Sequence, residues 1–385
     1  MVKLGIDCLR NDLPSVMKGR RVGLIANYTA TDGALVPTID RLQTDERFRL
    51  TALFGPEHGV LNSARPGEHV AFVTDAHSGL PAYSLYGQTR RPTADMLAEV
   101  DVLVIDLQDI GSRYYTNMNT LALSMEAADE AGLSVVVLDR PNPLGGLVAE
   151  GYILEPPWIS FVGGGAMPNR HGLTMGELAR WFHNVRGVGH QLTVVPMAGW
   201  RREMLWQDTG LSFVGPSPNT TQEDMVLLYP GTCLFEGTNL SLGRGTTHPF
   251  EVLGAPFVDG HRLADAVNRR DLPGLRARPT YFVPEIDPWQ GEICGGIQLH
   301  VRDRRRLEPV RTAVELLALC SALYPDAFWI APADGKPSAF QRLAGTDRLE
   351  QWIQDEGLRA AEHYVDPHTA AWQEFREQAQ AARLY

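Results

Sequence analysis

The feature that most limits the fold is a set of predominantly apolar segments that alternate with segments of helical spacing. The apolar segments are 21–27, 48–54, 101–107 and 133–138, and the helical ones are 36–43, 93–100 and 119–132. A strand that is apolar along its whole length is buried on both faces, as in a parallel sheet covered by helices. The pattern therefore predicts an α/β fold in which helices cover both faces of a parallel sheet. No GxGxxG sequence follows these strands, so we expect no dinucleotide site.

The length of the chain indicates two domains, because 385 residues exceed what one small core organises. After residue 230 the pattern becomes α+β, with a strand over 296–301 and helices around 310–324, 347–356 and 369–382. We predict one domain over 1–230 that contains the parallel sheet and a second, smaller α+β domain over 231–385.

Composition excludes several classes of protein. The formal net charge of −11 argues against a nucleic-acid partner, and no apolar run is long enough to cross a membrane. The amino terminus lacks the features of a signal peptide, so we expect a cytoplasmic protein as written, and a secreted or periplasmic one if a signal peptide has been removed. Nothing in the pattern indicates an oligomeric state.

The cysteines indicate neither a metal site nor a disulfide scaffold. Cys8, Cys233, Cys294 and Cys320 show no CxxC spacing, and we interpret them as small buried hydrophobic residues. We therefore expect no metal and no cofactor.

Polar side chains follow each predicted strand at its carboxyl end. The carboxyl ends of parallel strands meet at one edge of a sheet, where α/β proteins bind ligands, so we expect these side chains to share a cleft. They are Asn27, Glu57, His58, Asp106, Gln108, Asp109, Asp139, Arg140 and Asn142.

Among these strand ends, the LFGPEHG stretch over 53–59 is the most informative. Its Gly-Pro pair ends a strand and delivers Glu57 and His58, two side-chain types suited to proton transfer near neutral pH. For each strand-end residue the alternative role is to cap a helix or brace a loop. Asp106 in particular suits a structural pairing with Arg113 or Arg140.

Two later segments add candidate residues. Arg170 and His171 precede a predicted helix over 174–182, and helix amino termini favour anions. The glycine-rich segment 228–250 shows neither helical nor alternating spacing, which predicts an irregular functional loop that carries Glu236, Asn239 and Arg244. The alternative is a glycine-rich connector between the domains.

Several stretches together carry a family resemblance. LFGPEHG, SLYGQTRRPT, DLQDIGSRYYT, VLDRPNPLGG, NRHGLTMGELA, GPSPNTT and LYPGTCLFEGTNLSLGRGTTHPFE occur in the order and spacing of a bacterial family long described as a domain of unknown function. Some of its members are exo-β-N-acetylmuramidases, which remove terminal N-acetylmuramic acid from peptidoglycan fragments. The chain resembles this family along nearly its whole length. The resemblance implies that the domain over 1–230 is Rossmann-like and catalytic and that the domain over 231–385 closes the cleft between them, with a peptidoglycan-derived saccharide as the partner.

The resemblance also makes Glu57 the leading catalytic candidate. Glycoside hydrolysis ordinarily uses one carboxyl group as the acid and one carboxylate as nucleophile or base. We predict Glu57 as the acid, with His58 beside it, and Asp109 as the second group. Glu236 and the acetamido group of the sugar are the alternatives to Asp109.

Substrate-binding residues follow from the chemistry of the sugar. N-acetylmuramic acid bears a lactyl carboxylate, which an arginine recognises through paired hydrogen bonds. Arg113, Arg170 and Arg244 are the candidates, and Arg244 suits equally well a bracing pair with Glu236 or Asp109. The other predicted substrate-binding residues are Asn27, Gln108, Tyr114, Asn142, His171, Glu236 and Asn239.

Two departures from the family pattern concern specificity. Residues 60–62 read Val-Leu-Asn where family members commonly have an aromatic residue or Arg and then Gly, and Leu242 stands where they commonly have Glu. If that Glu helps to hold the substrate, the chain prefers a modified or shorter sugar, and a hydrolase of another amino sugar is the alternative.

Two other classes of function compete with a glycosidase. A non-catalytic saccharide-binding protein would stack sugars on Tyr83, Tyr86, Tyr114 and Trp200. A metal-dependent hydrolase would use His58, Asp106 and His171, but the sequence has no HxH or HExxH spacing.

Overall fold

The computed structural model describes residues 1–64, 72–189, 191–286, 288–330 and 337–385. Within these ranges a seven-stranded sheet has the strand order β3-β4-β2-β1-β5-β6-β7, in which every pairing except β3 with β4 is parallel. The strands are β1 Arg21–Ile25, β2 Arg49–Gly55, β3 Val73–Thr74, β4 Pro81–Ser84, β5 Val102–Ile105, β6 Ser134–Leu138 and β7 Leu192–Val195. The order reverses beside β1, as in a doubly wound fold, which confirms the predicted α/β class.

Helices cover both faces of this sheet. The helices of this lobe are α1 Gly5–Leu9, α2 Thr38–Gln43, α3 Ala94–Leu97, α4 Thr116–Glu130 and α5 Met175–Arg186. One face of the sheet packs against α3, α4 and α5, and the other packs against α1 and α2. The central strand β5 is buried at all four positions, which explains why its sequence is continuously apolar rather than alternating.

A smaller lobe follows in the sequence. It contains an antiparallel sheet of order β8-β10-β9, formed by β8 Val252–Ala255, β9 Leu275–Phe282 and β10 Cys294–Val301. Its helices are α6 Glu223–Thr232, α7 Gly260–Arg269, α8 Pro309–Leu323, α9 Ala339–Ala344, α10 Arg348–Glu356 and α11 Ala360–Tyr364. Together they form one hydrophobic core. The lobe is α+β, as predicted.

The last helix, α12 Ala370–Ala382, returns to the larger lobe. Its Trp372 and Phe375 belong to the same core as Trp181 and Phe182 of α5. Both ends of the chain therefore pack on the Rossmann-like sheet, and the division near residue 230 stays a prediction.

The prediction of an irregular segment over 228–250 is wrong for its first part. Residues 223–232 form α6, and Cys233–Gly237 form a 3-10 turn that continues it. Eight consecutive residues of α6, from Met225 to Thr232, are buried. A helix that is buried all round has no polar stripe, so the sequence shows no amphipathic period.

The prediction of buried cysteines needs one correction. Cys233, Cys294 and Cys320 are buried, whereas Cys8 is only partly buried. Cys8 lies on α1, a five-residue helix at the edge of the larger lobe, where solvent reaches one side of the helix.

Arg113 joins the two lobes. Its side chain is fully buried and donates hydrogen bonds to Met167 O at 2.9 Å and to Leu343 O and Ala344 O at 2.8 Å each, as well as to Tyr152 O. The guanidinium group therefore satisfies carbonyl oxygens from both lobes. Arg140, and not Arg113, is the partner of Asp106, with Nη2 at 2.9 Å from Oδ2.

Candidate active site

Glu57 lies at the tip of a tight turn at the carboxyl end of β2. Gly59 N donates to Pro56 O at 2.9 Å, and His58 and Gly59 both have left-handed backbones, with φ of 72° and 76°. Two consecutive left-handed residues reverse the chain directly after Glu57. The turn therefore places the Glu57 side chain beside the amino terminus of α4.

The carboxylate of Glu57 has polar neighbours on two sides. Thr116, the first residue of α4, donates its hydroxyl to Glu57 Oε2 at 2.8 Å. On the other side, burial and the negative charge of Glu57 raise the pKa of the Tyr86 phenol. Both neighbouring hydroxyl groups are neutral donors, so they orient the carboxyl group without adding charge.

A cavity of about 550 Å³ opens beside Glu57, between the two lobes, and has the size of a small-molecule site. A narrower recess of about 80 Å³ adjoins it, and the two share Glu57, Tyr114, Thr116, Tyr229 and Arg244. Glu57 therefore lies where the cavity and the recess meet. The recess is also lined by Tyr115, Asn117, Pro216, Ser217, Asn219, Thr220, Met225 and Phe250.

Two tyrosines, Tyr114 and Tyr229, line both the cavity and the recess together with Glu57. The ring centroids of Tyr114 and Tyr229 are 6.4 Å apart, and Tyr229 packs edge-on against Phe250 at 4.8 Å. Burial raises the pKa of both Tyr114 and Tyr229 well above the ordinary value. These phenols are therefore uncharged at neutral pH. Tyr114 is 2% exposed and Tyr229 is 9% exposed, so of the two rings Tyr229 has the more surface open to the cavity.

Arg244 and Glu236 bring the smaller lobe to the cavity. They form an ion pair, and the guanidinium lies over the Phe250 ring, 5.4 Å from its centroid. Gly245, which follows Arg244, has φ of 80° and approaches Glu285 so closely that an added Cβ would lie 2.2 Å from the Glu285 Cβ. Glycine is therefore required for this loop to carry Arg244 against the cavity.

Two other predicted catalytic residues lie beside or behind the cavity. His58 borders the narrow recess, and its Nδ1 is 2.8 Å from Ala64 O. Asp109 is buried, accepts from Gly111 N at 2.6 Å and pairs with His171 Nε2 at 3.1 Å. Leu173 N donates to His171 Nδ1, so the neutral imidazole carries its proton on Nε2, facing Asp109.

The structure places the remaining predicted substrate-binding residues within the larger lobe or against main-chain groups. Asn27 accepts hydrogen bonds from the backbone N–H and the side-chain hydroxyl of Thr29. Gln108 donates to Asp109 O and Pro141 O. Asn142 donates to Leu173 O, and Asn239 donates to Ala327 O. These amides brace loops around the site. None of the four lines the cavity or the recess.

Arg170, like Arg113, is occupied by the main chain. Its guanidinium donates to Leu144 O at 2.6 Å, and burial lowers the pKa of Arg170 despite the nearby charge of Glu150. Of the arginines predicted to bind the lactyl group, Arg244 is the one that lines the cavity.

Sequence reasoning gave no role to several residues that line the cavity. Arg90 and Phe161 lie on its wall near Tyr86, and Ser217, Asn219 and Thr220 line the recess. SLYGQTRRPT and GPSPNTT, two stretches of the family resemblance, contain all of these except Phe161. The first stretch follows β4, a four-residue strand that the apolar pattern did not predict, and no named strand precedes the second stretch directly, so no strand-end rule pointed to either.

A search of the described ranges finds no group of three or more His, Cys, Asp or Glu side chains placed to hold a metal ion. Within the same ranges no helix has the length and apolar character needed to cross a membrane.

A two-lobed α/β fold whose cleft holds a carboxyl group, tyrosines and arginines has the layout of a hydrolase that acts on saccharides. Comparison with known proteins makes this class specific. The family models described as Exo-beta-N-acetylmuramidase NamZ, N-terminal and C-terminal, match residues 22–224 and 227–385. The chain therefore belongs to the exo-β-N-acetylmuramidase family, which confirms the resemblance.

A characterised relative and solved structures agree with this placement. The chain is 42% identical over 384 residues to the peptidoglycan beta-N-acetylmuramidase NamZ of Bacillus subtilis strain 168, covering 100% of this chain and 91% of that protein. Crystal structures of two DUF1343 family proteins from Bacteroides fragilis share 34% and 27% identity with it, with TM-scores of 0.89 and 0.78. Each match covers 100% of this chain and 99% of the solved one.

Proposed function

We propose that this protein is an exo-β-N-acetylmuramidase that releases terminal N-acetylmuramic acid from peptidoglycan fragments, with Glu57 as the general acid. The observation that carries the proposal is the position of Glu57 at the junction of the cavity and the recess. A sugar bound across this junction would bring its glycosidic oxygen to the Glu57 carboxyl group. Family membership and the 42% identity to a peptidoglycan β-N-acetylmuramidase support the substrate class.

The charge of the cavity supports an anionic sugar. Among the described residues that line it are three arginines, Arg90, Arg244 and Arg342, and two glutamates, Glu57 and Glu236. If Glu57 is protonated to act as the acid, the lining carries a net positive charge, although the whole chain has a formal net charge of −11. A locally positive cleft in an acidic protein favours anionic ligands. N-acetylmuramic acid carries such a charge in its lactyl carboxylate.

In the proposed reaction Glu57 donates its proton to the leaving oxygen as the bond to the anomeric carbon breaks. Thr116 holds the carboxyl group toward the cavity, and the uncharged Tyr229 borders the same cavity and would contact the apolar part of the sugar. Water then adds at the anomeric carbon, its oxygen becomes the hydroxyl group there, and the proton that it gives up passes to the enzyme's carboxylates and restores the protonated Glu57.

The second role in the reaction falls to a group that reaches the cavity. Glu236 lines it, whereas Asp109 is buried against His171. We therefore assign the base or nucleophile role to Glu236, and to Asp109 a supporting role that orients His171 behind the site. Attack by the acetamido oxygen of the substrate is the competing route, and it would leave Glu236 to orient Arg244.

Turnover of chromogenic aryl glycosides tests the proposal. The protein should hydrolyse an aryl β-N-acetylmuramide faster than the matching N-acetylglucosaminide, and a chelator should leave the rate unchanged. Tight binding of the muramide without turnover would indicate a saccharide-binding protein instead. Loss of activity with the chelator, restored by a divalent cation, would indicate a metal-dependent hydrolase.

A further inference from the structure

The arginines near the cleft differ in what already binds them. Arg113 and Arg170 donate to main-chain carbonyl groups in the protein interior. Arg244 is ion-paired with Glu236, so part of its charge and its hydrogen-bonding capacity are used within the protein. Arg342 donates to Pro337 O, beside its own helix. Arg90 faces the same cavity, and no salt bridge to it is found within the described ranges of the chain.

Two aromatic rings hold the guanidinium of Arg90. Its Cζ lies 3.8 Å from the centroid of the Tyr86 ring and 4.3 Å from that of Phe161. The centroids of the two rings are 5.9 Å apart, and the ring planes are tilted by 54° to each other. A guanidinium stacked on aromatic faces gains cation–π stabilisation and keeps the N–H groups at its edge available in the plane. We call Tyr86, Arg90 and Phe161 the arginine clamp.

Local hydrogen bonds fix the backbone at two of the three residues of the arginine clamp, Arg90 and Phe161. The Thr89 hydroxyl donates to Arg91 O at 2.6 Å, which closes the backbone around Arg90. Ser160 and Gly163 exchange two backbone hydrogen bonds of 3.0 and 3.1 Å around Phe161. Because the clamp is ordered before a ligand arrives, binding an anion there costs little additional side-chain entropy.

The arginine clamp lies on the same wall as the proposed acid. Tyr86 is near enough to Glu57 that the carboxylate charge raises the pKa of the phenol, after the larger effect of burial. An anionic group close to the reacting carbon of the sugar would therefore fall within reach of Arg90. In N-acetylmuramic acid the lactyl ether is on C3, two ring carbons from the anomeric centre.

We propose that Arg90, held between Tyr86 and Phe161, is the residue that binds the lactyl carboxylate and so distinguishes N-acetylmuramic acid from N-acetylglucosamine. The proposal rests on the proposed function, since it names the residue that selects the substrate of that site. The guanidinium of Arg90 carries a fork of N–H donors that matches a carboxylate through two parallel hydrogen bonds. Arg244 then keeps Glu236 in place.

Steady-state kinetics on both aryl glycosides test this assignment. Arg90→Met keeps an apolar stem between the rings and removes the charge, so kcat/KM on the muramide should fall about 10- to 100-fold, mainly through KM. The rate on the N-acetylglucosaminide should stay within about twofold of wild type. The kcat/KM of Arg90→Lys on the muramide should lie between the values of wild type and Arg90→Met, because lysine keeps the charge and loses the fork of N–H donors. Arg91→Ala is the matched control, since Arg91 pairs with Glu130 outside the cavity.

Other outcomes would overturn the assignment. Equal losses on the two sugars would make Arg90 a structural residue. A selective loss in Arg244→Met with normal selectivity in Arg90→Met would transfer the role to Arg244.

The binding step can be tested apart from catalysis. Calorimetric titration with free N-acetylmuramic acid and N-acetylglucosamine should show a preference for the former in wild type that is lost in Arg90→Met. If wild type binds with this preference, Arg90→Met loses it, and wild type hydrolyses neither glycoside, the proposed function fails and the assignment of Arg90 stands. If the preference survives in Arg90→Met, the assignment fails whatever the activity.

Discussion

Asp139, at the carboxyl end of β6, is a carboxyl group that the fold surrounds completely. It is fully buried and accepts hydrogen bonds from Gly176 N at 2.6 Å, Tyr385 Oη at 2.7 Å and Thr174 Oγ1 at 3.0 Å. Burial nevertheless dominates and raises the pKa of Asp139 to about 7. It holds the start of α5 and the last residue of the chain against β6.

This raised pKa predicts how stability depends on pH. The folded-state pKa of about 7 exceeds the ordinary value of 3.8. The contribution of Asp139 to the free energy of unfolding is therefore complete below about pH 4 and is lost as the pH rises to 7. The free energy of unfolding should fall across this range by up to about 1.4 kcal/mol per pH unit from this group. Urea titrations of wild type and Asp139→Asn at several pH values measure it.

At low pH the Asn variant should be less stable than wild type, because its amide nitrogen would face the hydrogen-bond donors that now surround the Asp139 carboxyl group. Between pH 5 and 7 its free energy of unfolding should change less than that of wild type. Glu150, whose pKa burial likewise raises to about 7, contributes to both proteins, so the difference between them isolates Asp139. Parallel pH profiles would contradict the assignment.

Residue type and strand-end position predicted Glu57 but did not separate it from its neighbours. Asn27, Asp109 and Asn142 are also polar and follow strands, yet loops fold over them and bury them. The same holds for the arginines, since Arg113 and Arg244 differ only in what packs around them. Burial of a polar side chain depends on contacts distant in sequence, such as those of Arg113 with residues 343 and 344, and local patterns do not contain them.

At the scale of the element, the turn after β2 sets the position of the catalytic candidate. His58 adopts φ of 72°, a conformation that Asn tolerates and β-branched residues do not. If the main role of His58 is to form this turn, His58→Asn should keep kcat on the aryl muramide within about tenfold of wild type. The kcat of His58→Val on the same substrate should fall much further, because a β-branched residue does not adopt this backbone conformation. An Asn variant as inactive as Glu57→Gln would show that the imidazole takes part in the chemistry.

A strand or helix could be predicted where its buried residues leave a regular pattern of apolar positions in the sequence. The strand β5 and the helix α3 follow from the apolar run over 101–107 and the helical spacing over 93–100. The helix α6 was missed because burial on every side removes the period, and because it contains Pro230 and Gly231, which usually interrupt helices. Its packing in the core of the smaller lobe overrides both preferences.

At the scale of the whole molecule, Arg113 connects the two lobes beside the cavity, because it donates to Leu343 O and Leu343 lines the cavity. Gly345, directly after Leu343 and Ala344, has φ of 76°, and an added Cβ would lie 2.7 Å from Arg113 Nη2. Gly345→Ala should lower the free energy of unfolding by about 2 to 4 kcal/mol, through backbone strain and the clash. Denaturant unfolding measures the loss.

Gly187→Ala provides the matched control for this contact. Gly187 has φ of 62° at the end of α5, and an added Cβ there would meet nothing within 4 Å. This variant should lose only about 1 kcal/mol, from the backbone alone. Equal losses in the two variants would mean that the contact between Arg113 and the smaller lobe contributes nothing measurable.

The most direct test of the central claim is the release of N-acetylmuramic acid from the natural disaccharide N-acetylmuramyl-β-1,4-N-acetylglucosamine by wild type and by Glu57→Gln. Chromatography should show free N-acetylmuramic acid from wild type, and a rate lower by about 10² to 10⁴ in the folded variant, the range for loss of a general acid. An aryl muramide with a good leaving group should show a much smaller loss. No release by wild type would contradict the proposed activity. Equal and mild losses of the variant on both substrates would remove Glu57 from the role of acid.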